Sequence, residues 1–134
     1  MANQIGNYSL YIALFASIFI IFQSSNSIRS KSKNLDNKIF SALSVQSLMV
    51  LISFFSLIYA FIISDFSNET VYNNSHTTKP LFYKISGAWG NHEGSLLLWL
   101  LVLTIFLFIF LIKSKNQQNN YRLLTVLFQE IIIF

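Results

Sequence analysis

The chain has 134 residues, 54% of them hydrophobic and only 10% charged, well below the roughly 25% charged content of soluble domains, so its surroundings are predicted to be a lipid bilayer. The absence of cysteine excludes disulfides, thiolate metal sites and thiol redox chemistry. A formal charge of +4 could suggest nucleic acid, but the basic residues lie in short stretches between apolar runs, the pattern of membrane topology, and no nucleic-acid partner is predicted.

Residues Met1 to Asn7 are uncharged and lack the basic stretch and small-residue cleavage site of a signal peptide. A first span is predicted at about 8–22; counted from Ile5 to Gln23 it reaches about 19 residues, which suffices to cross. A polar loop follows, with Arg29, Lys31, Lys33 and Lys38 against Asp36. A second span is predicted at about 39–63, long enough to cross with some tilt. Residues 64–93 then form a polar loop that holds Pro80, the only proline. The third span, 94–112, has Thr104 as its only hydroxyl from Leu96 onward. Its roughly 19 residues rise about 28 Å, close to the ~30 Å of a hydrocarbon core. After Lys113, Lys115 and Arg122 comes an apolar segment, 123–134, whose 12 or so residues are too few to cross and read as the start of a fourth span. The predicted fold class is all-α: one polytopic membrane domain of three full transmembrane helices plus a truncated fourth. Seven of the nine Lys and Arg residues fall in the loops after the first and third spans, which places those loops on the side of synthesis. The N-terminus and the 64–93 loop are then expected on the outer side.

The polar cluster at the mouth of the third span has a physical logic. Asn91 is predicted to cap the helix, with His92 and Glu93 in its first turn, where Glu93 meets the partial positive charge of the helix N-terminus. Helical spacing aligns His92, Ser95, Leu96 and Trp99 on one face, a polar and aromatic stripe of the kind that usually faces protein. Gly87, Gly90 and Gly94 are spaced for turns and a helix start. His92 is a candidate ligand or proton carrier, but one histidine and one acid do not make a metal site, and none is predicted. His76 reads as a solvated loop residue. Trp89 and Trp99 suit a planar-ligand platform or, together with Tyr83, interfacial anchoring. Glu130, beside Gln129, is the acid within an apolar segment; such acids are usually partnered and functional, the alternative here being an altered or unfinished end.

The run Trp89-Gly90-x-His92-Glu93-Gly94-Ser95-Leu96-Leu97-Leu98-Trp99 resembles the CcmF family, the heme lyase component of the cytochrome c maturation system in bacteria and many mitochondria. Asp65-Phe66, Asn74-Ser75 and Pro80-x-x-Tyr83 are similar as well, and the derived topology is the family's. The resemblance implies that the chain is the N-terminal part of a larger CcmF-like protein. Such a protein takes heme from a heme chaperone and brings it to apocytochrome c on the outer face of the membrane. The family's tryptophan-rich heme-handling segment and its heme-ligating histidines lie beyond the end of this chain. No catalytic residue is therefore assigned, heme is expected to be handled only by the complete complex, and an enzymatic role for the chain itself is left open. Trp89, Gly90, His92, Glu93, Gly94, Ser95 and Trp99 are expected to buttress the heme face or to contact a partner. The implied partners are the remainder of CcmF, the heme chaperone, apocytochrome c with its thiol-reducing helper, and membrane lipid. Fourteen Phe against four Gly points to an AT-rich coding system such as an organelle genome. The expected location is the mitochondrial inner membrane, the alternative a bacterial plasma membrane. The chain is expected to be either one piece of a split gene or a partial or frame-shifted reading that breaks off inside the fourth span. The competing function is a non-catalytic hydrophobic structural subunit of a respiratory or transport complex, in which His92 and Glu93 only cap and anchor.

Overall fold

The computed structural model describes residues 2–30, 37–114 and 117–133. Lys31, Lys33, Asp36 and Lys115, used above for the topology, lie outside the described residues. The described part is helical: α1 (Ala2–Arg29), α2 (Asn37–Ile63), α3 (Glu69–Asn74), α4 (Leu81–Gly90), α5 (His92–Lys113) and α6 (Asn119–Ile133). Without water, a lipid-embedded backbone must satisfy its own donors and acceptors, so each long apolar run closes into a helix. Three of these helices, α1, α2 and α5, are long and apolar enough to cross a membrane. The segment predicted to begin a fourth span is α6, whose 15 residues rise roughly 22 Å, short of a bilayer crossing.

α1 and α2 run antiparallel and form the main seam. The buried face of α1 reads Gly6, Ser9, Ala13, Ser17, Ile20, Ser24 and Ser27, mostly small residues at helical spacing. Small residues let two backbones approach closely, which replaces the hydrophobic driving force that lipid does not supply. A methyl group added at Gly6 would lie 3.2 Å from Ser56 Oγ. α5 packs on the other flank of α2, and α6 lies against α1 and α5. α1 extends past the predicted 8–22 at both ends, because its polar residues keep the small-residue seam going beyond the apolar stretch. The Ser9 hydroxyl in this seam bonds to its own helix, at the Gly6 carbonyl, at 2.8 Å.

Three apolar clusters stack along the bundle. Ile20, Ile39, Leu43, Leu107, Leu111, Leu123 and Val126 fill one end, and Ala13, Val50, Phe54 and Leu101 the middle. Ala60, Phe61, Val71 and Ala88 fill the other end, where α3 and α4 sit on the end of α2. The stretch read as a polar loop, 64–93, is thus largely two short helices. It escapes a periodicity reading because its buried face rests on only Val71 and Ala88.

α2 ends in a Schellman turn: Asp65 N donates to the Ala60 carbonyl at 2.9 Å and Ser64 N to the Phe61 carbonyl at 3.2 Å. Ser64 occupies the left-handed position at φ 55°, where glycine is usual. Its hydroxyl accepts from Lys84 Nζ at 2.7 Å, which ties the end of α2 to α4 and gives a serine at this position a use glycine lacks. Just beyond, Asp65 Oδ1 accepts from Ser67 Oγ at 2.6 Å and from Ser67 N at 3.2 Å. The Ser67 hydroxyl, then its amide, hold the Asp65 carboxyl below its ordinary value of 3.8. A depressed carboxylate contributes stability above its unfolded value and loses it as pH falls through the folded one. Ser67→Ala is expected to raise the Asp65 midpoint in a carboxyl-carbon NMR titration; an unmoved midpoint would show that this turn does not set it.

At the opposite end, Arg122 is not a solvated loop cation as its place in the sequence suggested. It is buried in the first turn of α6, with Nε donating to Ser114 Oγ at 3.1 Å and Nη2 to the Leu111 carbonyl at 2.9 Å. It therefore satisfies a terminal carbonyl of α5 and brings positive charge to a helix C-terminus.

Candidate functional site

The polar motif forms the corner between α4 and α5, and Asn91 is its pivot. This residue is at once the C-cap of α4 and the N-cap of α5, in extended conformation at φ −102° and ψ 168°. Asn91 Oδ1 accepts from Gly94 N at 2.6 Å, which confirms the predicted cap. Asn91 Nδ2 donates to the Gly87 carbonyl at 2.7 Å, which answers an otherwise open carbonyl at the end of α4. One buried amide thus joins two helix termini of opposite need, and only an amide offers both an acceptor and a donor at that reach. Asn91→Asp, a neutral exchange at an ordinary N-cap, is expected to cost about 1–2 kcal/mol here, since the carboxylate cannot donate to Gly87. Thermal unfolding in detergent checks this, and an unchanged midpoint would mean that the Gly87 contact carries no weight.

Gly94 fixes how closely the two helices meet. A Cβ at this position would lie 1.7 Å from the Ala88 carbonyl oxygen. Its glycine follows from this close approach and not from a special φ. Gly90 differs, since a Cβ there meets nothing within 4 Å.

The corner separates the remaining motif residues. Trp89 and Gly90 line an open cleft of about 580 Å³ with Asn74, Lys79, Pro80, Tyr83 and Ser86. Lys79 Nζ in this cleft donates to the Asn74 carbonyl at 2.9 Å. Glu93 lines a second cleft of about 430 Å³ with Asn3, Asn7, Asn68 and Glu69, at the start of α1. Asn68, which caps α3 by accepting from Thr70 N at 3.0 Å, also donates to Asn3 Oδ1 at 3.1 Å and so ties α3 to α1. His92 is exposed in the first turn of α5 and lines neither cleft, and His76 is exposed as well. Ser95 Oγ is turned back to the His92 carbonyl at 2.8 Å.

The stripe of His92, Ser95, Leu96 and Trp99 does not face the other helices of this chain. Leu96 is 57% and Trp99 67% exposed, whereas the buried face of α5 is Gly94, Leu101, Thr104, Leu107 and Leu111. Gly94 sets that rotation: its contact with Ala88 turns the glycine inward and carries the stripe outward. Among the described residues, no three or more His, Asp or Glu side chains gather as a metal-ligand group.

A second polar centre lies in the bundle interior and joins residues far apart in the chain. Glu130 on α6 is fully buried, and its Oε2 accepts from Ser17 Oγ of α1 at 2.8 Å and from Gln46 Nε2 of α2 at 2.9 Å. Gln129 donates its amide to the Leu103 carbonyl of α5. The Gln129-Glu130 pair therefore has partners on three helices. Ser17 and Gln46 were missed; the available signal was Gln46, the only amide in the apolar part of α2.

No protein-family model matches the chain, and no solved structure matches it. Curated proteins do. A cytochrome c-type biogenesis protein CycK of Rhizobium meliloti is 40% identical over 122 residues, 91% of this chain and 18% of that protein. A cytochrome c-type biogenesis protein CcmF of Haemophilus influenzae is 34% identical over 127 residues, 90% of this chain and 18% of that protein. A probable cytochrome c biosynthesis protein of Daucus carota is 38% identical over 71 residues, 53% of this chain and 12% of that protein. The chain spans less than a fifth of the length of these relatives. With its membrane helices and the Trp89–Trp99 motif, the chain belongs to the CcmF/CycK family of cytochrome c-type biogenesis proteins.

Proposed function

We propose that this chain is the N-terminal part of a heme lyase, a membrane component that brings heme to apocytochrome c on the outer face of the membrane. The observation that carries the reading is the corner at Asn91 and Gly94, which holds the family motif in a fixed shape and turns His92, Leu96 and Trp99 away from the chain's own helices. The names of the relatives, all concerned with cytochrome c biogenesis, supply the process. The outward stripe is assigned to the remainder of CcmF, and the clefts beside the corner to the heme chaperone or to apocytochrome c and its thiol-reducing helper. Excess Lys and Arg in the sequence after the first and third spans supports an outer position for the corner, in an intermembrane space or periplasm. The plant relative and the phenylalanine-rich composition favour the mitochondrial inner membrane.

Among the described residues lining the Trp89 cleft there is no imidazole to serve as an axial heme ligand. The cleft offers the aromatic faces of Trp89 and Tyr83 and the Lys79 ammonium. It suits lateral contact with a planar, anionic molecule. What the chain contributes is shape: a pinned corner that fixes a partner surface.

The reading is tested with His92→Ala in the assembled complex, followed by heme staining of c-type cytochromes. Reduced heme attachment is expected, with the variant accumulating normally in the membrane. Unchanged attachment would reduce the motif to cap and anchor, as in a purely structural subunit.

A further inference from the structure

The centre at Glu130 contains two buried acceptors that find no hydrogen-bond partner among the described residues, Glu130 Oε1 and Gln46 Oε1. They belong to the same pair of side chains, already joined through Gln46 Nε2 and Glu130 Oε2 at 2.9 Å. Joined by one bond, an amide and a carboxylate leave the amide oxygen and the second carboxylate oxygen as two acceptors, and the amide's remaining N–H cannot reach its own carbonyl oxygen. An amide and a carboxylic acid are complementary instead, one donor and one acceptor on each side. A single proton on Glu130 supplies the missing donor and answers both orphans with one further hydrogen bond.

We infer that this centre is a proton-binding site, with the proton on Glu130 Oε1 and directed at Gln46 Oε1. The surroundings agree. α1 contributes the Ser17 hydroxyl, α2 the Gln46 amide, and α5 only the Leu103 carbonyl, which the Gln129 amide occupies. The nearby cation on α6, Arg122, lies eight residues away, roughly 12 Å along the helix, and is engaged with Ser114 and the Leu111 carbonyl. No described Lys, Arg or His is bonded to Glu130, so an ionised carboxylate would be held by two neutral donors in a water-poor interior, a costly arrangement. A small cavity of about 160 Å³, lined by Ser17, Gln46, Leu10, Ala13 and Ile133 among others, borders the centre and shares Leu10 with the polar cleft that holds Glu93.

The test is infrared spectroscopy of the full chain in lipid at neutral pH, reading the carbonyl stretch of an un-ionised carboxyl group. The expected result is such a band in the unmodified protein, lost in Glu130→Gln and retained in Glu69→Gln. Glutamine keeps the amide-to-amide pairing with Gln46, so this variant is expected to fold. Should it fail to fold, Ser17→Ala decides the matter, expected to shift the band by removing the hydroxyl that donates to Glu130 Oε2. Absence of an un-ionised carboxyl band in the unmodified protein overturns the inference, as does a band that survives Glu130→Gln.

Discussion

Gly94→Ala is expected to cost about 3 kcal/mol, the upper end of what overpacking usually costs, and to leave little folded protein in the membrane. Two effects oppose each other. Alanine is the better helix former by about 1 kcal/mol in a helix interior, and by less in a first turn. Against that, the new Cβ would be placed 1.7 Å from the Ala88 carbonyl oxygen and 2.8 Å from its carbon. Both atoms are backbone, so no rotamer change relieves the overlap and α4 as a whole must move. Asn91 cannot follow both helices at once, and its bond to Gly94 N or to the Gly87 carbonyl is lost with the move. Gly90→Ala is the control, expected to be neutral or slightly stabilising because its Cβ meets nothing. Thermal unfolding of both variants in detergent reads the contrast, and equal midpoints would contradict the packing described here.

Gln46→Leu is the second large effect, expected to destabilise by about 2–3 kcal/mol, since it removes a donor from a buried carboxyl group. Leucine adds apolar burial, but the loss at Glu130 is greater because Ser17 alone then supports it. Replacing both partners behaves differently: Gln46→Leu combined with Glu130→Leu is expected to recover most of the stability, since removing a buried polar pair together is often close to neutral. Unfolding midpoints of the two single variants and the double variant test this coupling. Strictly additive losses would mean that the two side chains act independently.

The three long helices were legible because each apolar run is long and free of charge, and a bilayer leaves such a run little other than a helix to form. Asn91 as cap was legible for a similar reason: a short polar side chain just before an acid in the first turn of a long apolar helix has few other uses. The rotation of α5 was not. A stripe of His92, Ser95, Leu96 and Trp99 can be drawn from spacing, but which way it points depends on where Gly94 meets Ala88, a contact set by α4. α3 and α4 were hidden because their cores consist of Val71 and Ala88 pressed on Ala60 and Phe61, too few residues to make a periodic signal. Arg122 looked like a topogenic loop charge, and only the folded chain shows its bonds to Ser114 and Leu111. The Ser17–Gln46–Glu130 centre spans 113 positions, a separation at which one sequence gives no pairing information.

A place for this chain in heme attachment is tested most directly by removing its gene and asking whether c-type cytochromes lose their heme. Heme-stained gels of membranes from the host are expected to show c-type bands that disappear on its deletion, return with the unmodified chain and fail to return with Gly94→Ala. Bands of normal intensity in the deletion strain would contradict a place for this chain in cytochrome c heme attachment.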